Sequence, residues 1–254
     1  MGSSETTSST MQPDTTQSQW LIPLSNSLPD LFARFEDVFS GVCSYHFGIA
    51  NAEQMPQSNS DDCQFPGALI QRNPSCADGD LPYYTNDDGS TPEDAFTALQ
   101  CTLINQGFGG DDDERMIDAM LGALNPDNSA EGACNAGFRR PGANLAILYI
   151  SDENDPTPSE EQDTAAELFI SYVEPTDVVF IAVVGDPANE EPECQWVPDA
   201  EDDGTGAETP SALNGFLALS GIPISQQARI DICETTTYAF DDAFQVFSSI
   251  CGGD

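Results

Sequence analysis

Apolar residues along this chain fall into two periods, and the alternation between them predicts the fold. Two short runs are apolar almost without a break: Ala143–Ile150 (ANLAILYI) and the stretch Asp177–Gly185 (DVVFIAVVG). Runs of that length, rich in Leu, Ile and Val, predict strands buried on both faces, as in the interior of a parallel sheet. Tyr45–Ala50 (YHFGIA) and Arg229–Cys233 (RIDIC) predict shorter strands. Between the strands the spacing becomes helical. Leu28, Leu31, Phe32, Phe35, Val38 and Phe39 follow Pro29 and stop at Gly41. Pro92 opens PEDAFTALQCTLI, with acids in its first turn to suit the helix dipole. DDDERMIDAMLGAL is another acid-started helix ending at Leu124. Ser159 and Gln162 have capping-box spacing ahead of Leu168, Phe169 and Tyr172. Thr209–Pro210 caps a helix carrying Leu213, Phe216, Leu217 and Leu219, and YAFDDAFQVFSSIC is a last amphipathic helix.

Strands alternating with helices imply an α/β fold: a mostly parallel sheet, right-handed crossovers and helices on both faces. There is no internal repeat and no clean linker. The expected organisation is a Ser/Thr-rich segment over residues 1–18 followed by one domain over 19–254, with long loops at 51–91 and 185–208.

The first apolar run ends abruptly in Ser151, Asp152, Glu153, Asn154 and Asp155. In an open α/β sheet the carboxyl end of a central strand is where ligands bind. A hydroxyl and three carboxylates at that edge are hard-cation chemistry. The same residues also read as an acidic, solvated loop between strand and helix. Both readings stand on the sequence.

Charge narrows the partners. Against 44 acidic residues stand six basic ones, all Arg, for a net charge of −38. Such a surface repels nucleic acid and anionic membranes. It suits high salt or divalent cations, which screen the self-repulsion. Eight cysteines are spread singly: Cys43, Cys63, Cys76, Cys101, Cys134, Cys194, Cys233 and Cys251. None has C-x-x-C spacing and His46 is the only histidine, which argues against a zinc cage. Dispersed, even-numbered cysteines read as disulfides in an exported protein, the alternative being buried free thiols in the cytosol. Proximity in sequence favours Cys63 with Cys76, Cys101 with Cys134 and Cys233 with Cys251, leaving Cys43 with Cys194, although sequence alone does not fix the pairing.

Residues 1–18 have neither a positive n-region nor an apolar h-region, so they are not a signal peptide. Export therefore implies a targeting segment removed upstream. No segment is long and apolar enough to span a membrane.

Other candidate chemistry is thin. NQGFGG lacks the spacing and the lysine of a phosphate loop, and three aspartates follow it. Asp199, Glu201, Asp203 and Gly204 resemble the opening of an EF-hand loop, but Pro210 stands where the closing Glu belongs. His46 reads as a partly buried strand histidine. There is no G-x-S-x-G, so a Ser-His-Asp site would have to use it.

Taken together, LAILYISDEND with NAGFRRPGANLAILYIS leading into it, DVVFIAVVGDP, and the closing FLALSGIP…IDIC…DDAFQVFSSIC resemble a von Willebrand factor type A domain, in the cysteine-bearing form of bacterial exported proteins and lipoproteins. The resemblance covers roughly residues 8–251. It implies a Rossmann-like three-layer sandwich and a metal-ion-dependent adhesion site above the sheet. In that family a D-x-S-x-S segment, a Thr from one loop and an Asp from another hold the ion. Carried over, Asp152 matches the last Asp, and Ser8 and Thr10 fall on the two hydroxyl positions, with Ser151 beside them. The leading acid is Thr6 in that register. The alternative register restores it as Glu5 with Thr7 and Ser9. No Thr occurs in Asn105–Phe108, where the Thr loop should lie, and no strand can precede the Ser/Thr segment. The implied site for Mg2+ or Ca2+ is thus degenerate, and a plain Ser/Thr linker is the competing reading of SSETTSSTM.

The expected function is a non-enzymatic, extracytoplasmic, monomeric binding or adhesion module for a protein or cell-surface ligand, with no nucleic-acid partner and no insertion into the membrane. The alternatives are a metal-dependent hydrolase using Asp152 and its acidic neighbours, and a metal-free structural protein of the envelope.

Overall fold

A computed structural model describes residues 44–50, 65–70, 81–85, 91–106, 115–186 and 206–233, with residues 27, 52, 63, 75, 76, 87 and 188 between them. The helices expected over 28–39 and 238–251, residues 1–18 and the acidic stretch 199–205 lie outside that set.

Three strands, β3 (Leu145–Ser151), β4 (Val178–Val184) and β5 (Gln227–Asp231), form a parallel sheet in that order. The α/β class is therefore as the hydrophobic pattern predicts. Every residue of β4 is buried, at 0–3% exposure. β3 pairs in register from Leu145↔Val178 to Ser151↔Val184, and β5 from Gln227↔Phe180 to Asp231↔Val184. The chain steps the same way twice, β3 to β4 through α3 (Ser159–Tyr172) and β4 to β5 through α4 (Ser211–Leu219). Right-handed crossovers that step in one direction leave both helices on one face. That is the arrangement found. Phe169 of α3 meets Phe216 of α4 edge-on at 5.4 Å. Together with Ile117, Leu121 and Leu124 of α2 (Met116–Leu124) they pack on Val178, Phe180, Ala182 and Val184, beside Tyr149.

One expectation changes here. β3 was predicted to be buried on both faces, yet Ala146 is exposed and Leu148 is 39% exposed, while Leu145, Ile147 and Tyr149 point into the core. β3 is the end strand of the described sheet and β4 the central one. Its apolar run is as unbroken as that of β4, so composition could not rank the two. The helices described against this sheet, α2, α3 and α4, share one face, and the helices predicted over 28–39 and 238–251 lie outside the described residues. The opposite face of β4, made by Val179, Ile181 and Val183, is buried just as completely.

A smaller unit precedes the sheet. β1 (His46–Phe47) pairs antiparallel with β2 (Tyr84–Thr85), and Ala50 bridges Leu69, so only part of Tyr45–Ala50 is in a ladder. α1 (Pro92–Gln106) packs on this hairpin through Ala95 and Ala98, which meet Tyr45 and Tyr84. Thr91 caps α1 in a reciprocal box: Asp94 N–H donates to Thr91 Oγ1, and Thr91 N–H and Oγ1–H donate to Asp94 Oδ2. Those side-chain and backbone bonds from Thr91 hold the Asp94 carboxyl below its ordinary range.

The segment after Cys63 is bound tightly to α2. At Gly67 (φ +87°) and Gly122 the two backbones nearly touch: a Cβ on Gly122 would sit 1.9 Å from Pro66 O, and one on Gly67 2.1 Å from Ala119 O. Buried Asn135 completes the joint, accepting from Leu69 N–H at 2.9 Å and donating to Gly67 O at 3.0 Å.

Disulfides are present, as expected, but with other partners. Cys63 bonds Cys134 and Cys76 bonds Cys101, rather than Cys63 with Cys76 and Cys101 with Cys134. Cys233 is also disulfide-bonded. Choosing neighbours in sequence fails because loop-closure entropy grows only slowly with loop length, so folded proximity decides. Proteolytic mapping without reductant is expected to recover peptides linked through Cys63–Cys134 and Cys76–Cys101, with none linking Cys63 to Cys76. On the chain-entropy estimate, replacing the first pair by Ser destabilises by about 4–5 kcal/mol and the second by about 3–4 kcal/mol, read from urea unfolding.

Candidate acidic edge of the sheet

Ser151 ends β3 and is buried; Asp152, Glu153 and Asn154 are half-buried; Asp155 is 3% exposed. Pro156 and Pro158 follow, and both restrict the residues before them to extended backbone, which holds the chain away from the strand before α3 begins. Opposite lies Gly206–Glu208. A Cβ on Gly185, at the end of β4, would stand 2.4 Å from Glu208 O, so only glycine permits this approach. Glu208 N–H donates to Asp152 O, and Asn154 N–H donates to Glu208 Oε2, each at 2.7 Å.

Two side chains of this loop, those of Asn154 and Asp155, cap helices. Asp155 Oδ2 accepts from Ile117 N–H at 2.7 Å, in the first turn of α2, and Oδ1 accepts from Thr157 N–H at 2.8 Å. Arg115, the residue at the cap position of α2, makes no side-chain capping bond. Asn154 Oδ1 accepts from Ala212 N–H and from Ser211 Oγ–H, both at 3.0 Å, in the first turn of α4. Two predicted caps are thereby corrected. Pro210 makes no side-chain bond to α4, and Asn154 supplies it from 58 residues away. Pro158, not Ser159, is the cap residue of α3, and Gln162 donates to Thr157 O rather than closing a box. A helix start leaves N–H groups without intrahelical partners, and an acceptor is favoured there whatever its position in sequence.

The C-terminal ends are served by arginine. Arg139 Nη1 donates to Leu124 O at 3.0 Å and to Tyr172 O at 2.8 Å, the last carbonyls of α2 and α3. A cation there also opposes the negative ends of both helix dipoles. Burial lowers the Arg139 pKa, although a guanidinium remains charged regardless. Arg229 of β5 donates to Gly185 O at 2.8 Å and to Asn214 Oδ1 at 3.2 Å, tying the end of β4 to α4.

Of the residues carried over for a cation, Asp152 and Ser151 stand at this edge. Ser8, Thr10 and residues 107–108 lie outside the described set, while Asn105 falls in the last turn of α1. Ser151 Oγ makes a local turn, donating to Glu153 O and accepting from Glu153 N–H, both at 3.1 Å. Among the described residues no group of three or more His, Cys, Asp or Glu side chains is gathered as a metal site. Nor is any helix there long and apolar enough to cross a membrane. Asn154, Glu208 and Arg139 were not singled out from the sequence. The pairing of Asn154 with α4 joins distant segments and leaves no local motif.

His46 does not form a serine–histidine relay. Its Nδ1 lies 2.7 Å from Phe138 O and its Nε2 3.3 Å from Asp87 Oδ2, while Ser44 Oγ–H donates to Asp87 Oδ1 at 2.6 Å. The carboxylate stands between hydroxyl and imidazole, and both ring nitrogens are engaged. No family model, curated protein or solved structure matches the chain.

The caps give a sharp mutational contrast. Asp155→Ala strips an N-cap acceptor and leaves buried N–H groups unpaired, and is expected to destabilise by about 2–3 kcal/mol in urea unfolding. Asp163→Ala, which removes an exposed carboxylate from α3, is expected to change stability by under about 1 kcal/mol. Equal losses would contradict the capping role of Asp155.

Proposed function

We propose that this chain is an extracytoplasmic binding module of the von Willebrand factor type A kind, a three-layer sandwich that engages a protein or cell-surface ligand at the carboxyl edge of its sheet, without catalysis and as a monomer. The observation that carries the reading is the acidic loop Ser151–Asp155 at the carboxyl end of a parallel strand, the position at which open α/β sheets bind ligands. The parallel order and the one-directional crossovers agree with it. So does the burial of Val179, Ile181 and Val183, which calls for a covering layer on the face opposite α2–α4. Disulfides fit an oxidising compartment.

In this reading Mg2+ or Ca2+ is held by Asp152, hydroxyls from Ser8, Thr10 or Ser151, and water. A second reading, a metal-free envelope protein, is favoured by a specific observation: Asp155, Asn154 and Glu208 each accept from a backbone N–H group.

Calorimetric titration of magnesium at physiological salt, where diffuse screening is already saturated, separates the two. The cation reading predicts saturable binding with Kd of roughly 10⁻⁴–10⁻³ M. Asp152→Ala abolishes it and Asp177→Ala, at the opposite end of the sheet, leaves it intact. An unsaturable parent supports the metal-free protein. Binding that survives Asp152→Ala removes Asp152 from the site.

A further inference from the structure

The disulfides Cys63–Cys134 and Cys76–Cys101 are held by different amounts of structure. Beside Cys134, fully buried Asn135 accepts from Leu69 N–H and donates to Gly67 O, both in the segment that follows Cys63. Gly67 in turn lies against the α2 backbone at Ala119 and Ala123. The loop after Cys134 also grips the hairpin unit. Phe138 O lies 2.7 Å from His46 Nδ1, and Arg140 donates to Ser44 O. Cys63 and Cys134 are therefore brought together by contacts that do not need their bond.

Cys76–Cys101 closes a smaller ring, which encloses β2 and the larger part of α1. Among the described residues this unit rests on a ladder of two residue pairs, His46↔Thr85 and Phe47↔Tyr84. Its core is Tyr45, Tyr84, Ala95 and Ala98, with Phe47 against them. The Tyr84 hydroxyl meets Thr102 Oγ1 at 2.5 Å and Ala98 O at 3.3 Å, so it fixes the same turn of α1 that carries Cys101. A two-stranded hairpin alone is marginal in water, and units with so small a core commonly need a covalent staple. Access differs too. Cys76, in a turn, and Cys101 are both half-buried, whereas Cys63 is buried.

We propose that Cys76–Cys101 is a redox-responsive staple: a dithiol reductant opens it before Cys63–Cys134, and its opening loosens β2 and α1 while the parallel sheet stays folded. No ligand at the acidic edge is involved.

In the exchange, a thiolate of the reductant bonds one cysteine sulfur, and the other leaves as a thiolate that takes a proton. The reductant's second thiol gives up its proton and displaces the first cysteine. Two electrons pass to the protein, which gains two thiols, and the reductant ends as its own disulfide. The order of opening follows from effective concentration. Thiols that the fold holds together re-form their bond readily, and thiols positioned largely by the bond itself do not. Once reduced, Cys63 and Cys134 are still held close by Asn135 and Gly67, while Cys76 and Cys101 are left on a marginal unit. The smaller ring excludes α2, α3, α4 and all three strands of the parallel sheet, so the main core keeps its packing.

The test equilibrates the oxidised, intact chain with rising ratios of reduced to oxidised dithiothreitol at one pH, traps free thiols with N-ethylmaleimide and maps the labelled peptides. Cys76 and Cys101 should be labelled at a ratio at least about tenfold below the one that opens Cys63 and Cys134. Hydrogen exchange is then read at a ratio between the two. The peptide over Pro92–Gln106 should exchange about tenfold faster or more, and the peptide over Val178–Val184 should keep its protection. Cys76→Ser combined with Cys101→Ser should show the same faster exchange in α1 without any reductant. The measurements on the parent stand whether or not that variant folds. Labelling of Cys63 and Cys134 at or below the ratio that opens the inner pair would overturn the staple. So would an α1 that stays protected once Cys76 and Cys101 are labelled, or a β4 that loses protection along with it.

Discussion

The arrangement of the described core depends on one strand from which water is excluded on both sides. β4 carries seven apolar residues, Val178–Val184, and no polar side chain, so its backbone groups must all be paired by neighbouring strands. β3 and β5 do this in parallel, and Ile232 N–H extends the ladder by donating to Val184 O. Because side chains alternate, the register that seats Leu145, Ile147 and Tyr149 on the α2–α4 side sends Ala146 and Leu148 outward. On β5 the same alternation puts Gln227, Arg229 and Asp231 on the helix side and Ala228 and Ile230 on the other. Arg229 can therefore reach α4, and the sheet's polar margin follows from its most apolar strand.

The second theme is where a very acidic chain places its few cations. In the described region arginines mostly satisfy carbonyl oxygens and polar side chains rather than carboxylates: Arg139 at Leu124 and Tyr172, Arg140 at Ser44, Arg229 at Gly185. The Arg115–Asp118 pair, at 3.2 Å and well exposed, is of the kind that contributes little. Carboxylates act correspondingly at helix starts, Asp94 on α1 and Asp155 on α2. Helix dipoles reward that division, with anions at N-termini and cations at C-termini. The net charge of −38 is thus largely left to solvent ions.

Periodicity made the elements legible: α1, α2, α3, α4 and β4 fall where the pattern of apolar residues puts them, and β5 overlaps its predicted run Arg229–Cys233 but starts and ends two residues earlier. It did not separate an end strand from a central one, because β3 and β4 are equally hydrophobic and differ only in what lies beside them. The acidic loop was legible as a place but not as chemistry. An aspartate offered to a cation and one offered to a helix N-terminus are the same residue in a sequence. What distinguishes Asp155 from Asp152 is the approach of Ile117, which is 38 residues from Asp155 in sequence and adjacent only in the fold. The cysteine partners were illegible for the same reason.

The cysteine bonds have an ordering consequence. Cys76–Cys101 lies wholly inside the span of Cys63–Cys134, so the two closed rings are nested and do not interleave. Closing the inner ring shortens the path that the outer one must bridge and lowers its entropic cost. In a chain that emerges from its N-terminus, both inner thiols are available before Cys134, so the shorter ring is the one free to close first. Oxidation in that order helps the next bond form and blocks none, and the outer bond then fastens the hairpin unit to the loop that leads into β3.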